Sequence, residues 1–466
     1  MPNLLANAVL VLWPAVTLAL CLRLRLAPGR AIIAAILAGY LLLPPAPAAL
    51  DLPLLPDLGK EELPALAAFV IALVLWRPGL SILPESPVLR ALLVLYVLSP
   101  VGSSLTNPEP LVYGPRVLPG LGLREAGGAV ILQAIKVMPF LLARHFLARP
   151  EDRRDLILAL MIGGLAYSLP VLVEIRLAPQ INVWVYGFFQ HSFEQMMRAG
   201  GFRPIVFLYH ALWVAFFMMT ALVAAAAVAR ERGGGAVAVV VVLWLAAILV
   251  LGKSYAAILY ALLLVPAVLV LSPRWQVHLA ALFAVAALAW PVARIVDVAP
   301  VDTIVAMASE LGQDRAHSLD FRFDNERALT ARAMEKPVFG WGIWGRNQIY
   351  SPQDGSELSI TDGRWIVVLG MQGLVGLAAE FGLLALPLLG VWRRRRDIAG
   401  DDGAIWTGAL ALILGVNMLD LLPNATLTPL TWLVAGAVLA VAETRQAAAV
   451  ASAPAPAATA PIATVL

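Results

Sequence analysis

Cysteine is almost missing. Cys21 is the only one in 466 residues, so no internal disulfide can form and no cysteine-based metal site exists. Charge is scarce too: Asp, Glu, Lys and Arg make up 14% of the chain, hydrophobic residues reach 61%, and the mean hydropathy is +0.84. A soluble domain carries about 25% charge, so a soluble globular protein is excluded. The histidines His191, His210 and His317 lack a metal-ligand spacing such as HExxH, and there is no DxD motif, which argues against a divalent-ion enzyme using nucleotide sugars. No metal, cofactor or nucleic-acid partner is expected. Residues 1–3 carry no basic region and the first arginines follow the first apolar stretch, so a cleavable signal peptide is not expected.

What is present is a succession of apolar runs. On the template of about 20 residues per spanning helix, about thirteen qualify, near 4–22, 31–49, 62–76, 88–105, 128–148, 155–174, 205–229, 235–252, 254–272, 276–295, 365–391, 405–422 and 426–443. Lipid admits only helices or closed barrels, and these runs are helix length. The expectation is an all-α polytopic membrane protein of about 12–14 transmembrane helices. Arg23, Arg25 and Arg30, then Arg77 and Arg90, then Arg144, Arg149, Arg153 and Arg154, then Arg230 and Arg232, then Arg274, then Arg393–Arg396 fall in every second connection. Short cytoplasmic loops collect Lys and Arg, which puts the N-terminus outside, the C-terminus inside, and the long connections 175–204 and 297–364 in the periplasm. One integral domain is expected over 1–445, followed by an Ala/Pro-rich disordered tail, 446–466.

The second long connection concentrates the polar chemistry: Arg315, Arg322, Arg327, Arg332, Arg346 and Arg364 with Asp320, Asp324, Glu326 and Asp362. Leu319 to Lys336 reads as a helix, with Phe321, Asn325, Leu329 and Ala333 on one stripe and Arg322 and Glu326 as an i,i+4 pair. Pro337 ends it, and Phe339-Gly340-Trp341-Gly342-Ile343-Trp344 follows as a glycine-aromatic turn suited either to close approach of a ligand or to capping the bundle.

Asp362 and Gly363, nine residues, Gly373, two residues and Gly376 form a spaced motif leading through Glu380-Phe381-Gly382. With Glu335-Lys336-Pro337-Val338-Phe339-Gly340-Trp341-Gly342 before it, the region from Arg198 to Gly390 resembles the O-antigen ligase and polymerase superfamily. The ligase branch has histidine and Asn, Ser or Gln where this chain has Asp362 and Gly363. The resemblance implies a multispanning C-type glycosyltransferase (GT-C) bundle in the bacterial inner membrane, moving glycan from an undecaprenyl-pyrophosphate donor to a glycan or lipid-linked acceptor. Other polysaccharide assembly proteins are possible partners beside the bilayer itself.

It also implies that arginines of the two long loops bind the pyrophosphate or the incoming glycan, which here selects Arg198, Arg203 and Arg322. Arg is suited to that task because its planar fork meets phosphate oxygens bidentately. Asp362 can accept the proton of an acceptor hydroxyl or cap the following helix. The arginines could equally neutralise Glu194, Asp320, Asp324 or Glu326. Lys253, between two apolar runs, either contacts phosphate or snorkels to headgroups. Trp341, Trp344 and Trp365 offer flat faces to sugar rings, and Arg364 either positions Asp362 or binds acceptor. Lys136, Glu174, His210, Glu380 and Asp420 lie in or near apolar runs; a paired Lys136 and a hydrogen-bonded His210 are the simplest readings. The expected activity is therefore a metal-independent, inverting polymerase of lipid-linked repeat units. A ligase is the first alternative. A polysaccharide or lipid transporter is the alternative from another class, although no internal repeat supports it.

Overall fold

A computed structural model describes residues 1–52, 55–76, 80–198, 200–310, 312–398 and 400–451. Arg77, the side chain of Arg315 and the tail beyond 451 lie outside the described residues. The protein is mostly helical: α1 Leu4–Leu24, α2 Pro28–Leu42, α3 Leu63–Trp76, α4 Pro87–Leu105, α5 Leu123–Lys136, α6 Met138–Phe146, α7 Pro150–Leu177, α8 Ile181–Tyr186, α9 Ala211–Glu231, α10 Ala236–Leu251, α11 Tyr255–Val270, α12 Pro273–Ile295, α13 Val301–Glu310, α14 Gln313–Met334, α15 Arg364–Arg393, α16 Arg395–Ile398, α17 Ala404–Asp420 and α18 Pro429–Ala451. Two small hairpins, β1 Leu111–Tyr113 with β2 Arg116–Leu118 and β3 Met197–Arg198 with β4 Gly201–Phe202, lie in the connections. Among the described residues, seven helices are long and apolar enough to cross a membrane, and six shorter apolar ones accompany them. Each apolar run of the sequence is helical, the one near 128–148 as α5 and α6 in succession, and the chain reads as a multi-pass membrane protein. Helix α18 continues to Ala451, past the expected start of the tail.

Local chemistry explains where helices begin. Pro28, Pro87, Pro150 and Pro273 open α2, α4, α7 and α12, where the missing N–H costs nothing and φ is already helical. Helix α9, with alanines at 224–227, is buried along nearly its whole length. Small residues let neighbouring backbones approach where lipid supplies no hydrophobic drive, and α7, α10, α11 and α17 pack around α9.

The arginine-bearing helix ends are tied together at one end of the bundle. Arg30 meets Asp155 at 2.6 Å, Arg153 meets Asp401 at 3.2 Å, Arg144 pairs with Glu443, and Arg230 donates to the carbonyls of Val268 and Leu271. The long connections gather at the other end, hereafter the loop end.

The run expected to cross at 365–391 is not one straight helix. Gly373 has φ 66° and ψ −163°, and a Cβ there would sit 2.3 Å from the Val338 carbonyl oxygen. Arg364 nevertheless reaches Glu380, sixteen positions on, at 2.7 and 2.6 Å. A straight helix would hold those positions about 24 Å apart, so the chain doubles back at Gly373. The arm 364–372 is a half-helix beside the crossing arm 374–393. The glycine-aromatic turn clasps this reversal: Trp341 and Gly342 donate to the carbonyls of Gly370 and Met371, and Leu374 donates to that of Pro337. The backbone that Gly340 approaches is the chain's own, with Gln372 N 2.6 Å from where a Cβ would stand.

Candidate active site

The arginines of the large connection divide by what they touch. Arg346 is buried and donates to Trp341 O, Pro119 O and Asn107 Oδ1. Arg332 donates to Glu335 and Tyr113 and stacks over the Trp341 ring at 3.4 Å. Arg294, on α12, takes Glu326 at 3.1 Å, which docks α14 onto the bundle. The expected Arg322–Glu326 pair therefore does not form, because Glu326 turns inward to a buried arginine. Arg322 meets Asp362 instead, at 3.4 Å, both nearly half exposed. The two residues expected to carry catalysis are thus neighbours at the surface of the loop end. Asp362 is not a helix cap; Gly363 occupies the cap position of α15.

The tryptophans separate in the same way. Trp344 is 57% exposed, whereas Trp341 lies under Arg332 and Lys336 and Trp365 is fully enclosed. Of the three, only Trp344 presents an open ring face; the other two pack the clasp and α14.

The second cluster forms around the β3–β4 hairpin. Arg198 lies over the Tyr255 ring at 5.6 Å, and Lys253 reaches the Arg198 carbonyl at 3.4 Å. Arg198 lines a recess of about 370 Å³ with Met197, Gly200, Gly201 and Phe202, and Lys253 Nζ stands 2.2 Å from where a Gly201 Cβ would be. Arg203, just beyond, is 5% exposed. Its Nε and Nη2 have no hydrogen-bond partner, and no carboxylate lies within ion-pair distance of it among the described residues. Burial and the neighbouring Arg198 pull its pKa down to about 10. A buried charge without a partner is costly, and the backbone that carries this one is anchored. Glu174 accepts from the backbone N–H groups of Ile181, Ile205 and Val206, and Gln190 donates to the carbonyls of Val206 and Leu208. Glu174 is thereby an anchor for the Arg203 segment. His210 caps α9, accepting from Leu212 N at 3.0 Å, and packs on His191.

Two further features were not selected from the sequence. An apolar groove of about 670 Å³ runs between α2 and α7 from Arg30 and Asp155 to Phe207, four residues beyond Arg203. A polar cavity of about 180 Å³ opens among Glu61, Lys136, Trp213, Arg364, Thr428 and Trp432. Lys136 does pair with an acid, Glu61, at 3.0 Å. Arg364 is spent on Glu380, whose carboxylate is fully buried. Asp420 accepts from Asn424 and Thr426.

No protein-family model matches the chain, and no curated protein matches it significantly.

Proposed function

We propose that the protein is a periplasmic-face glycosyltransferase of the bacterial inner membrane. It takes oligosaccharide from an undecaprenyl-pyrophosphate carrier and polymerises the repeat units; transfer to a final acceptor, as a ligase, is the alternative. The observation that carries this reading is Arg203: on a segment anchored by Glu174, a buried guanidinium whose Nε and Nη2 have no partner and that meets no carboxylate among the described residues, beside Arg198 and Lys253. Such a site is completed by an anion with several oxygens, as a pyrophosphate is. The groove ending at Phe207 supplies an apolar path for a polyprenyl tail along the bilayer. In this reading Arg203 and Arg198 meet the charge that develops on the leaving pyrophosphate, where stabilisation matters most, with Lys253 beside them. Arg322, Asp362 and the open face of Trp344 line the approach of the incoming glycan. The likeness to the O-antigen ligase and polymerase superfamily, carried by the Asp362–Gly376 spacing and the clasp before it, points the same way. The bundle would then be of the GT-C type.

The test is the surface polysaccharide ladder in cells carrying R203M, R322A or D362A, with membrane levels verified. Collapse to single lipid-linked repeat units supports a polymerase. Full-length polymer stranded on the carrier makes it a ligase. Unchanged glycans in all three variants would favour a transporter.

A further inference from the structure

The 180 Å³ cavity has a composition that neither the arginine cluster nor the rim pair explains. Its wall brings a carboxylate, an ammonium and a guanidinium together with two indoles, Trp213 and Trp432. Each charged group has definite commitments. Glu380 gives both oxygens to Arg364 and has no exposed surface. Glu62 accepts from Gly59 N at 3.1 Å, closing the turn before α3, and its side chain is 9% exposed. Glu61 alone of these three keeps an open side: it touches Lys136 at 3.0 Å while 37% of its side chain remains exposed. The turn that carries it is tied down, since Lys60 donates to the carbonyls of Leu43 and Phe207 at 2.5 and 2.8 Å.

That last bond joins the cavity to the arginine site. Phe207 ends the segment that begins at Arg203, so the turn carrying Glu61 and the loop carrying Arg203 share a wall. A second route runs through aromatic contacts. Trp213 in the cavity wall is 6.2 Å from Tyr209, which is 5.5 Å from His191, which is 4.7 Å from His210, and His210 feels the charge of Arg203. Asp362 lies two residues before Arg364, but neither it nor Arg322 lines the cavity, and both are nearly half exposed.

We propose that this cavity is the acceptor end of the transfer site, taking one hydroxyl-rich sugar ring, and that Glu61 is the carboxylate that accepts the proton of the attacking hydroxyl. The proposal rests on the transferase reading above and moves the base from Asp362 to Glu61. The acceptor oxygen bonds to the anomeric carbon of the donor while its proton passes to Glu61. The bond from that carbon to the phosphate oxygen breaks, and its electron pair leaves with the polyprenyl pyrophosphate, whose charge Arg203 and Arg198 meet. Lys136, 3.0 Å away, orients the Glu61 carboxylate before the step, and the indoles offer walls for the apolar face of the ring.

The experiment uses the full chain in nanodiscs, with lipid-linked oligosaccharide extracted from cells deleted for it as donor and acceptor. Product ladders are followed against pH, and donor retention is measured separately. Glu61→Gln is expected to lower turnover by about 10²- to 10⁴-fold, the usual contribution of a general base. Donor retention should stay within about twofold and the acid limb of the pH–rate profile should vanish. Glu61→Asp keeps the pairing with Lys136 and serves where E61Q does not accumulate; a folded E61D with turnover down more than about tenfold and an acid limb retained supports the assignment. A folded E61Q or E61D at full turnover overturns it, as does loss of the acid limb in Asp362→Asn but not in E61Q. If the unaltered chain retains no donor or makes no product, the transferase reading fails first and this proposal with it.

Discussion

Arg364 and Glu380 form a two-pronged ion pair across the reversal at Gly373, at 2.7 and 2.6 Å, with the carboxylate fully buried. Both arms of α15 depend on it, because it is the charged contact that closes the hairpin. Removing one partner leaves the other charge buried, which costs about 3–5 kcal/mol, whereas apolar replacement of both is often neutral. Arg364→Met and Glu380→Leu should therefore each lower the melting temperature in detergent markedly. The double variant should recover most of the loss, and additive losses would show that the pair is not coupled.

Gly373 has a stricter requirement than the ion pair. Its φ and ψ lie in a region almost confined to glycine, worth about 1–3 kcal/mol of strain for other residues, and a Cβ would overlap the Val338 oxygen at 2.3 Å. Gly373→Ala should destabilise by about 3 kcal/mol or more, strain and overlap together. Gly127→Ala, on α5 with nothing within 4 Å of the new methyl, should be neutral or stabilise by up to about 1 kcal/mol. Equal melting temperatures for the two variants would rule out the reversal.

Much of the bundle was legible because apolar runs of helix length have few other fates in lipid. The reversal was not legible, since Trp365–Gly370 and Leu374–Ala379 are apolar on both sides of Gly373. The available signal was Arg364 and Glu380 themselves, two charges that a straight helix would strand apart. That Lys136 would find an acid could be read from the cost of burying it, but not that the acid is Glu61, far upstream in the connection between α2 and α3. The trio Lys60-Glu61-Glu62 before an apolar run marked the place. The Arg322–Glu326 expectation failed because spacing describes an isolated helix, and Glu326 faces Arg294 on another one. Asp362 and Arg322 were brought together by the fold, while Trp365 and Trp341, chosen for their rings, were claimed by packing.

Arg203 should trade stability for function. Among the described residues no carboxylate meets its charge, and its pKa is drawn down to about 10 by burial and Arg198, a departure equivalent to about 3 kcal/mol at most. Arg203→Met removes that cost while filling similar space, so the variant should melt higher than the unaltered chain and yet lose polysaccharide elongation. A variant that melts lower would mean that the guanidinium has a stabilising partner, contrary to its orphaned Nε and Nη2.

His210 gives the fold an acid-sensitive point at the same place. Its ring is held neutral: burial, His191 and Arg203 together draw its pKa to about 4, and Nδ1 must stay unprotonated to accept from Leu212 N. An unfolded histidine titrates near 6.5, so between about pH 6.5 and 4 the unfolded state binds the extra proton. The stabilisation is complete above about pH 6.5 and is lost as pH falls toward 4, at up to about 1.4 kcal/mol per pH unit. His191, whose pKa burial also lowers, contributes in the same direction. His210→Asn keeps an oxygen for the cap and cannot titrate, so its melting temperature should fall less steeply from pH 7 to 4.5 and match the unaltered chain most closely at pH 7. Parallel curves for the two proteins would show that His210 is solvated and that Arg203 lies farther from it than the structure has it.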